Sequence, residues 1–162
     1  MNQQKFSFDF EVYDSIDELS KEDAQLLREA HSVTPTAYAP YSHFHVGAMA
    51  KLVNGKTIGG TNQENASYPV GICAERVLLS AASSVYPGVA IETIAISYQS
   101  EFVQSNRPIS PCGICRQTLV EYENRFEHPI RLILGGLEGK IFIIPNTGML
   151  LPFGFTGKDL KK

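Results

Sequence analysis

Between residues 5 and 12 apolar and polar side chains alternate, placing Phe6, Phe8, Phe10 and Val12 on one face, and this period of two predicts a strand. Because it precedes every other element, it is expected to be an edge strand attached before the main fold. From Ser20 the period lengthens. Ser20 is a fitting N-cap, Glu22 and Asp23 lie in the first turn, and Ala24, Leu27, Ala30 and His31 recur at helical spacing until Pro35. Residues 46–53 and 57–61 read as two strands joined by Asn54-Gly55, a pair that tolerates the positive φ of a tight hairpin turn. A second helix begins near Cys73, runs through Val77, Leu78, Ala81 and Ala82, and ends at Pro87-Gly88. Residues 91–98 are β-branched and apolar, as in a buried strand.

The stretch 99–111 is polar, contains Pro108 and Pro111, and reads as a loop. A third helix is predicted over 113–126, with Leu119, Val120 and Tyr122 inward. Strands follow at 130–134 and 140–144 around Gly135-Gly136 and Glu138-Gly139, and 146–151 is expected to be a short helix. This order predicts an α/β fold of three layers, α/β/α, with helices flanking a mixed five-stranded sheet. Residues 1–19 read as an extension carrying the edge strand, and residues 20–162 as a single catalytic domain.

Length and composition narrow the function classes. A chain of 162 residues can bury one sizeable core. The net charge of -3, with no Lys/Arg cluster beyond Lys161-Lys162, argues against a nucleic-acid groove. No apolar run approaches the roughly 20 residues of a membrane span, and residues 1–5 lack the apolar core of a signal peptide. The expectation is a cytoplasmic protein, in which thiols stay reduced and clustered cysteines point to metal or catalysis.

All three cysteines fall in two segments, Cys73-Ala74-Glu75 and Pro111-Cys112-Gly113-Ile114-Cys115. A closed structural zinc site takes four protein ligands, whereas a catalytic one takes three and leaves a position for water. Each segment sits at a predicted helix start, where free N–H groups and the positive dipole end favour thiolates. Two helix starts brought together would aim three sulfurs at one point. Cys112 and Cys115 have the Cys-x-x-Cys spacing of many zinc sites, but also of thioredoxin-like redox pairs. No strand runs directly into this pair, and a redox pair leaves Cys73-Ala74-Glu75 unexplained. Buried structural cysteines are the remaining alternative. Glu75 could move protons for a hydrolytic reaction or merely complement the helix dipole. Zinc with three thiolates carries a net negative charge, which donors to the sulfurs would relieve. Arg76 and Arg116 each follow a site residue and either could serve, or be an ordinary surface arginine.

Four blocks carry a resemblance. They are Ala37-Tyr38-Ala39-Pro40-Tyr41-Ser42-His43-Phe44-His45-Val46-Gly47-Ala48; Asn62-Gln63-Glu64-Asn65-Ala66-Ser67-Tyr68-Pro69 with Gly71-Ile72-Cys73-Ala74-Glu75-Arg76; Ser110-Pro111-Cys112-Gly113-Ile114-Cys115-Arg116-Gln117; and Leu150-Leu151-Pro152 with Phe155 and Asp159-Leu160. Together they resemble the cytidine deaminase family, in its small zinc-dependent form that assembles as a homotetramer. The resemblance implies one Zn²⁺ per subunit on Cys73, Cys112 and Cys115, with Glu75 as proton shuttle and Arg76 donating to ligand sulfurs. It places Asn62 and Glu64 on ribose hydroxyls, Phe44 on the pyrimidine and the Ala66 backbone on the base. Tyr68 and Phe155 match aromatics close to a neighbouring subunit's pocket, so active sites would be shared across interfaces. The implied reaction is hydrolytic deamination of cytidine, and of 2′-deoxycytidine, to uridine products and ammonia, with no nucleic acid or membrane partner. A deaminase of a modified nucleoside such as blasticidin S would use the same chemistry, and a zinc-stabilised nucleoside-binding module would keep the cysteines alone. His45 departs from the family, which often has proline there. His31, His43 and His128 have no partner that the sequence names.

Overall fold

The structure, a computed structural model, describes residues 1–136 and 138–160. Its elements in chain order are β1 (Glu11–Tyr13), α1 (Lys21–Ser32), β2 (Phe44–Leu52), β3 (Thr57–Thr61), α2 (Ala74–Val85), β4 (Ile91–Ser100), α3 (Gly113–Phe126), β5 (Arg131–Gly135) and β6 (Ile141–Ile144). The strands form one sheet in the order β1-β6-β5-β4-β2-β3. Only the β4–β5 pair is parallel, so the sheet is mixed.

Among the described residues the sheet has six strands, where five were expected, because β1 joins it beside β6. The alternation from Phe6 to Val12 overstates the length of β1. Its register pairs Glu11 with Ile143, Val12 with Phe142 and Tyr13 with Ile141. Continuing that ladder would soon bring Pro145 opposite, and proline has no N–H to donate. The upstream phenylalanines pack as rings instead: Phe10 meets Phe142 edge-on at 5.1 Å, and the half-buried Phe8 lies against the core. At the other end of the prediction, β2 begins at Phe44 and β4 runs on to Ser100. Phe44 and His45 pair with Ser100 and Gln99, polar residues that carry no strand signal of their own. Residues 146–151 hold a short 3-10 helix, Thr147–Leu150, capped by the Asn146 side chain, which accepts from Met149 N at 3.2 Å.

Alternation along each strand divides the core. Ile94 and Ile96 of β4, Leu132 and Leu134 of β5, and Ala48 and Ala50 of β2 face Leu78, Leu79 and Leu119 of α2 and α3. Ala95, Ile133, Ile141 and Ile143 face Leu26, Leu27 and Ala30 of α1 on the opposite side. The result is the expected α/β/α arrangement. α1 begins where Ser20 Oγ accepts from Asp23 N at 3.1 Å, and a two-pronged ion pair from Arg131 to Asp23, at 2.6 and 2.9 Å, ties that turn to β5.

The seat of α2 matters most for chemistry. Gly60 in β3 lies directly beneath its first two turns, where an added Cβ would stand 2.5 Å from Leu78 N and 2.7 Å from Ala74 O. Both are backbone atoms and neither can step aside alone. Gly60→Ala should therefore push α2 off the sheet at a cost of about 1–3 kcal/mol. Thermal unfolding followed by circular dichroism is expected to show a midpoint several degrees lower, on the basis of about 2–4 °C per kcal/mol at this chain length.

Candidate active site

Cys73 is the N-cap of α2 and Cys112 the N-cap of α3, and Cys115 lies in the first turn of α3. Neither capping cysteine makes a side-chain cap bond to its own helix, so both sulfurs are free to meet other groups. They point at each other. Cys73 Sγ lies 3.8 Å from Cys112 Sγ, which lies 3.5 Å from Cys115 Sγ, and all three sulfurs fall within 4.8 Å of one another. A disulfide needs a separation of about 2.05 Å, and the cysteines are unpaired. A tetrahedral zinc with Zn–S bonds of about 2.3 Å requires sulfurs about 3.8 Å apart. The spacing therefore fits zinc, and the donor set suits it.

The proton chemistry of the cluster is shared. A hydrogen bond from Cys115 draws the Cys73 thiol down to about 6, against burial and the charge of Glu75, with help from Cys112 and Arg76. Cys115 moves the other way, because it holds its proton toward Cys73 and is buried. The Glu75 carboxyl, only 5% exposed, is pushed up chiefly by burial, while a contact from Cys115 opposes the shift. A glutamate that merely complements a helix dipole gains nothing from being buried. This one makes no ion pair among the described residues, so its burial calls for another explanation.

The predicted nucleoside residues fall into three places. Asn62 follows β3, and its amide reaches across to β2: Oδ1 accepts from Val46 N at 2.7 Å and Nδ2 donates to Phe44 O at 2.9 Å. The Phe44 ring stacks on Tyr98 at 5.1 Å with an interplanar angle of 14°. Glu64 Oε2 accepts from Tyr41 N at 2.9 Å and Ser42 N at 3.3 Å. Burial would raise its pKa, but hydrogen bonding from the Ser42 side chain, and then from the Tyr41 and Ser42 N–H groups, outweighs it and holds the Glu64 carboxyl below its ordinary value. Glu64 and Tyr68 line one cavity of about 310 Å³ with Tyr41, Ser42, Asn65 and Gly71. Ala66 lies exposed on the same loop. Tyr68 and Phe155 are 76% and 58% exposed, and Phe155 stands outside that cavity. A larger cavity of about 660 Å³ sits at the opposite end of α3, away from the sulfurs.

A profile for the cytidine and deoxycytidylate deaminase zinc-binding region matches residues 20–126, a span that contains all three cysteines and Glu75. The chain belongs to the cytidine deaminase family. It is 38% identical over 135 residues to a cytidine deaminase of Halalkalibacterium halodurans, covering 83% of this chain and 95% of that one. The crystal structure of a cytidine deaminase from Burkholderia pseudomallei is similar at a TM-score of 0.71 and 34% identity, covering 85% of this chain and 100% of the other. A more distant relative, a blasticidin-S deaminase of Bacillus cereus, is 27% identical over 140 residues, covering 85% of this chain and 95% of that one.

Several residues of this deaminase site lay beyond the reach of sequence. Tyr41 acts on Glu64 through its backbone N–H, a role any residue type could fill, while Ser42 adds its side chain to its N–H. Tyr98 reads as a core strand residue until Phe44 is seen against it. Arg116 is neither a surface arginine nor a donor to sulfur: its Nε donates to Pro111 O at 2.8 Å and its Nη1 to Leu150 O at 3.3 Å. Arg76 is half-buried and its charge favours the Cys73 thiolate, with no hydrogen bond to a sulfur among the described residues. Two histidines gain partners, His31 with Ser97 Oγ at 2.7 Å and His43 with Glu101 at 3.5 Å. Because zinc binds only the folded trio, stripping it with a chelator should lower the thermal midpoint and make three thiols titratable. Thiol titration against a calorimetric scan checks this, and a midpoint indifferent to metal would count against the site.

Proposed function

We propose that this chain hydrolyses cytidine and 2′-deoxycytidine to the corresponding uridine nucleosides and ammonia. The observation that carries the reading is the buried Glu75 carboxyl, one residue into a helix whose cap is one of three converging sulfurs. Cys73, Cys112 and Cys115 would hold the zinc, which would supply the Lewis acidity needed to activate water at neutral pH. Glu75 takes the proton of the attacking water, passes one to N3 of the ring and helps one reach the leaving amine. A carboxyl raised by burial suits a group that must both accept and return a proton. The charge of Arg76 favours the Cys73 thiolate.

Glu64 and Asn62 hold the ribose hydroxyls. Glu64 is kept ionised by the Ser42 side chain and the Tyr41 and Ser42 N–H groups, and the Asn62 amide, with one bond made at each end, retains capacity for more. Phe44, backed by Tyr98, offers its ring to the pyrimidine, and the Ala66 backbone reaches the base. Fixing the sugar sets the ring carbon beside the nucleophile, so part of the binding energy appears in kcat. Tyr68 and Phe155 have little to pack against in their own chain, which supports a homotetramer whose copies lend these rings to one another's pockets. Residues 20–162 form the catalytic unit and residues 1–19 an extension to it. No helix among the described residues is long and apolar enough to cross a membrane. A site built of reduced sulfurs suits the cytoplasm.

Loss of absorbance on incubation with cytidine tests the reading directly. Glu75→Gln is expected to keep its zinc by elemental analysis and to lose about two to four orders of magnitude in turnover. Near-parental turnover in that variant would sink the assignment. The Bacillus cereus relative favours one second reading, deamination of blasticidin S. Ammonia release from cytidine, deoxycytidine and blasticidin S in parallel decides between them, with the two nucleosides expected to lead.

A further inference from the structure

Cys112 is the exposed member of the sulfur trio, and it closes a long polar loop that follows β4. A ligand on such a loop needs something to hold its backbone still. Arg116, one turn into α3, does so with two donors aimed at two different segments. Its Nε donates to the carbonyl of Pro111, the residue before Cys112, and its Nη1 to the carbonyl of Leu150. The next residue, Gln117, donates from Nε2 to the carbonyl of Phe155 at 2.7 Å.

Leu150 packs against the main core, but beyond it the C-terminal segment that receives the last two bonds has little to fix it. Its own backbone bonds are local, Leu151 N to Gly148 O and Gly154 N to Leu151 O, both at 3.0 Å. Its aromatic rings do not enter the core of this chain, since Phe153 is 95% exposed. Two adjacent side chains on the turn opened by Cys112 and Cys115 therefore seat this segment.

We propose that Arg116 and Gln117 are positioning residues that couple retention of zinc to the seating of residues 150–155. The inference rests on the ligand set given under the proposed function. Coupling of this kind is reciprocal: whatever loosens the segment loosens the metal, and loss of the metal loosens the segment. The planar fork of arginine is required, because the two bonds leave from separate nitrogens held at a fixed spacing, whereas the three donors of an ammonium all radiate from one atom.

Zinc transfer from the full zinc-loaded chain to a competing chelator tests this, alongside hydrogen exchange of the amides of residues 151–156. Gln117→Leu, which touches no sulfur and no charge, is expected to release zinc about fivefold faster, the equivalent of one hydrogen bond. Exchange in the C-terminal segment should rise with it, while the zinc-free midpoint stays put. Arg116→Lys should behave alike. Should Gln117→Leu fold poorly, Gln117→Glu removes the same donor with the shape kept. Parental zinc release in Arg116→Lys would show that charge alone is enough, and parental release in the Gln117 variants would show that the segment is uncoupled. Either result overturns the proposal. Zinc transfer needs no substrate, so faster release in a chain that failed to deaminate cytidine would uphold this coupling and sink the proposed activity alone.

Discussion

Three sulfurs within 4.8 Å of one another cannot all be thiolates without a cation between them. Much of the molecule can be understood as the consequence of holding that arrangement. Two of the sulfurs belong to N-cap residues, so two converging helix N-termini add positive potential beside them. The shared protonation of Cys73 and Cys115 expresses the same tension in the absence of metal charge: one sulfur yields its proton because the other keeps its own. Zinc resolves this by replacing those protons, and this ties metal binding to folding of the α2 and α3 starts.

Those starts are far apart in sequence and must be delivered by the sheet. α2 reaches its place because β3 presents Gly60 beneath it and lets the Ala74 and Leu78 backbones approach. α3 reaches its place by packing Leu119 and Tyr122 into the same core, and the Tyr122 hydroxyl donates to Leu79 O of α2 at 2.9 Å. The two helices that bring the sulfurs together are thus tied to each other by a buried hydrogen bond as well as by any metal. Catalytic geometry and core packing are the same contacts seen from two ends.

What the sequence disclosed follows from how local each signal is. The Ser20 cap, the Asn54-Gly55 turn and the β-branched, apolar run of β4 act within a few residues of themselves, and each is found where the pattern indicates. The cysteines were legible because few other purposes explain three thiols at helix starts. The opposite holds for Glu64, whose partners include the featureless N–H groups of Tyr41 and Ser42, more than 20 residues earlier in the chain. It holds again for Arg116, where two arginines beside the cysteines looked alike as sulfur donors. The choice between them depends on the Leu150 carbonyl, 34 residues further along the chain. Long-range partners that are backbone atoms leave no mark on composition or spacing.

The edge of the sheet illustrates the same limit from the side of stability. The match to the zinc-binding-region profile begins at residue 20, yet β1 pairs with β6 before that point. Without it, Ile141–Ile144 would end the sheet as an apolar strand with a free row of donors and acceptors, the kind of edge that invites pairing between chains. β1 takes that row and offers a poorer edge in its place: three residues long, with Glu11 and Tyr13 bonded to each other. Alternation in the first residues correctly signals an apolar face. Its length as a strand is set elsewhere, by the shortness of β6 and by Pro145 at its end, so a periodic pattern states what a segment can do and its neighbour decides how much of it is used.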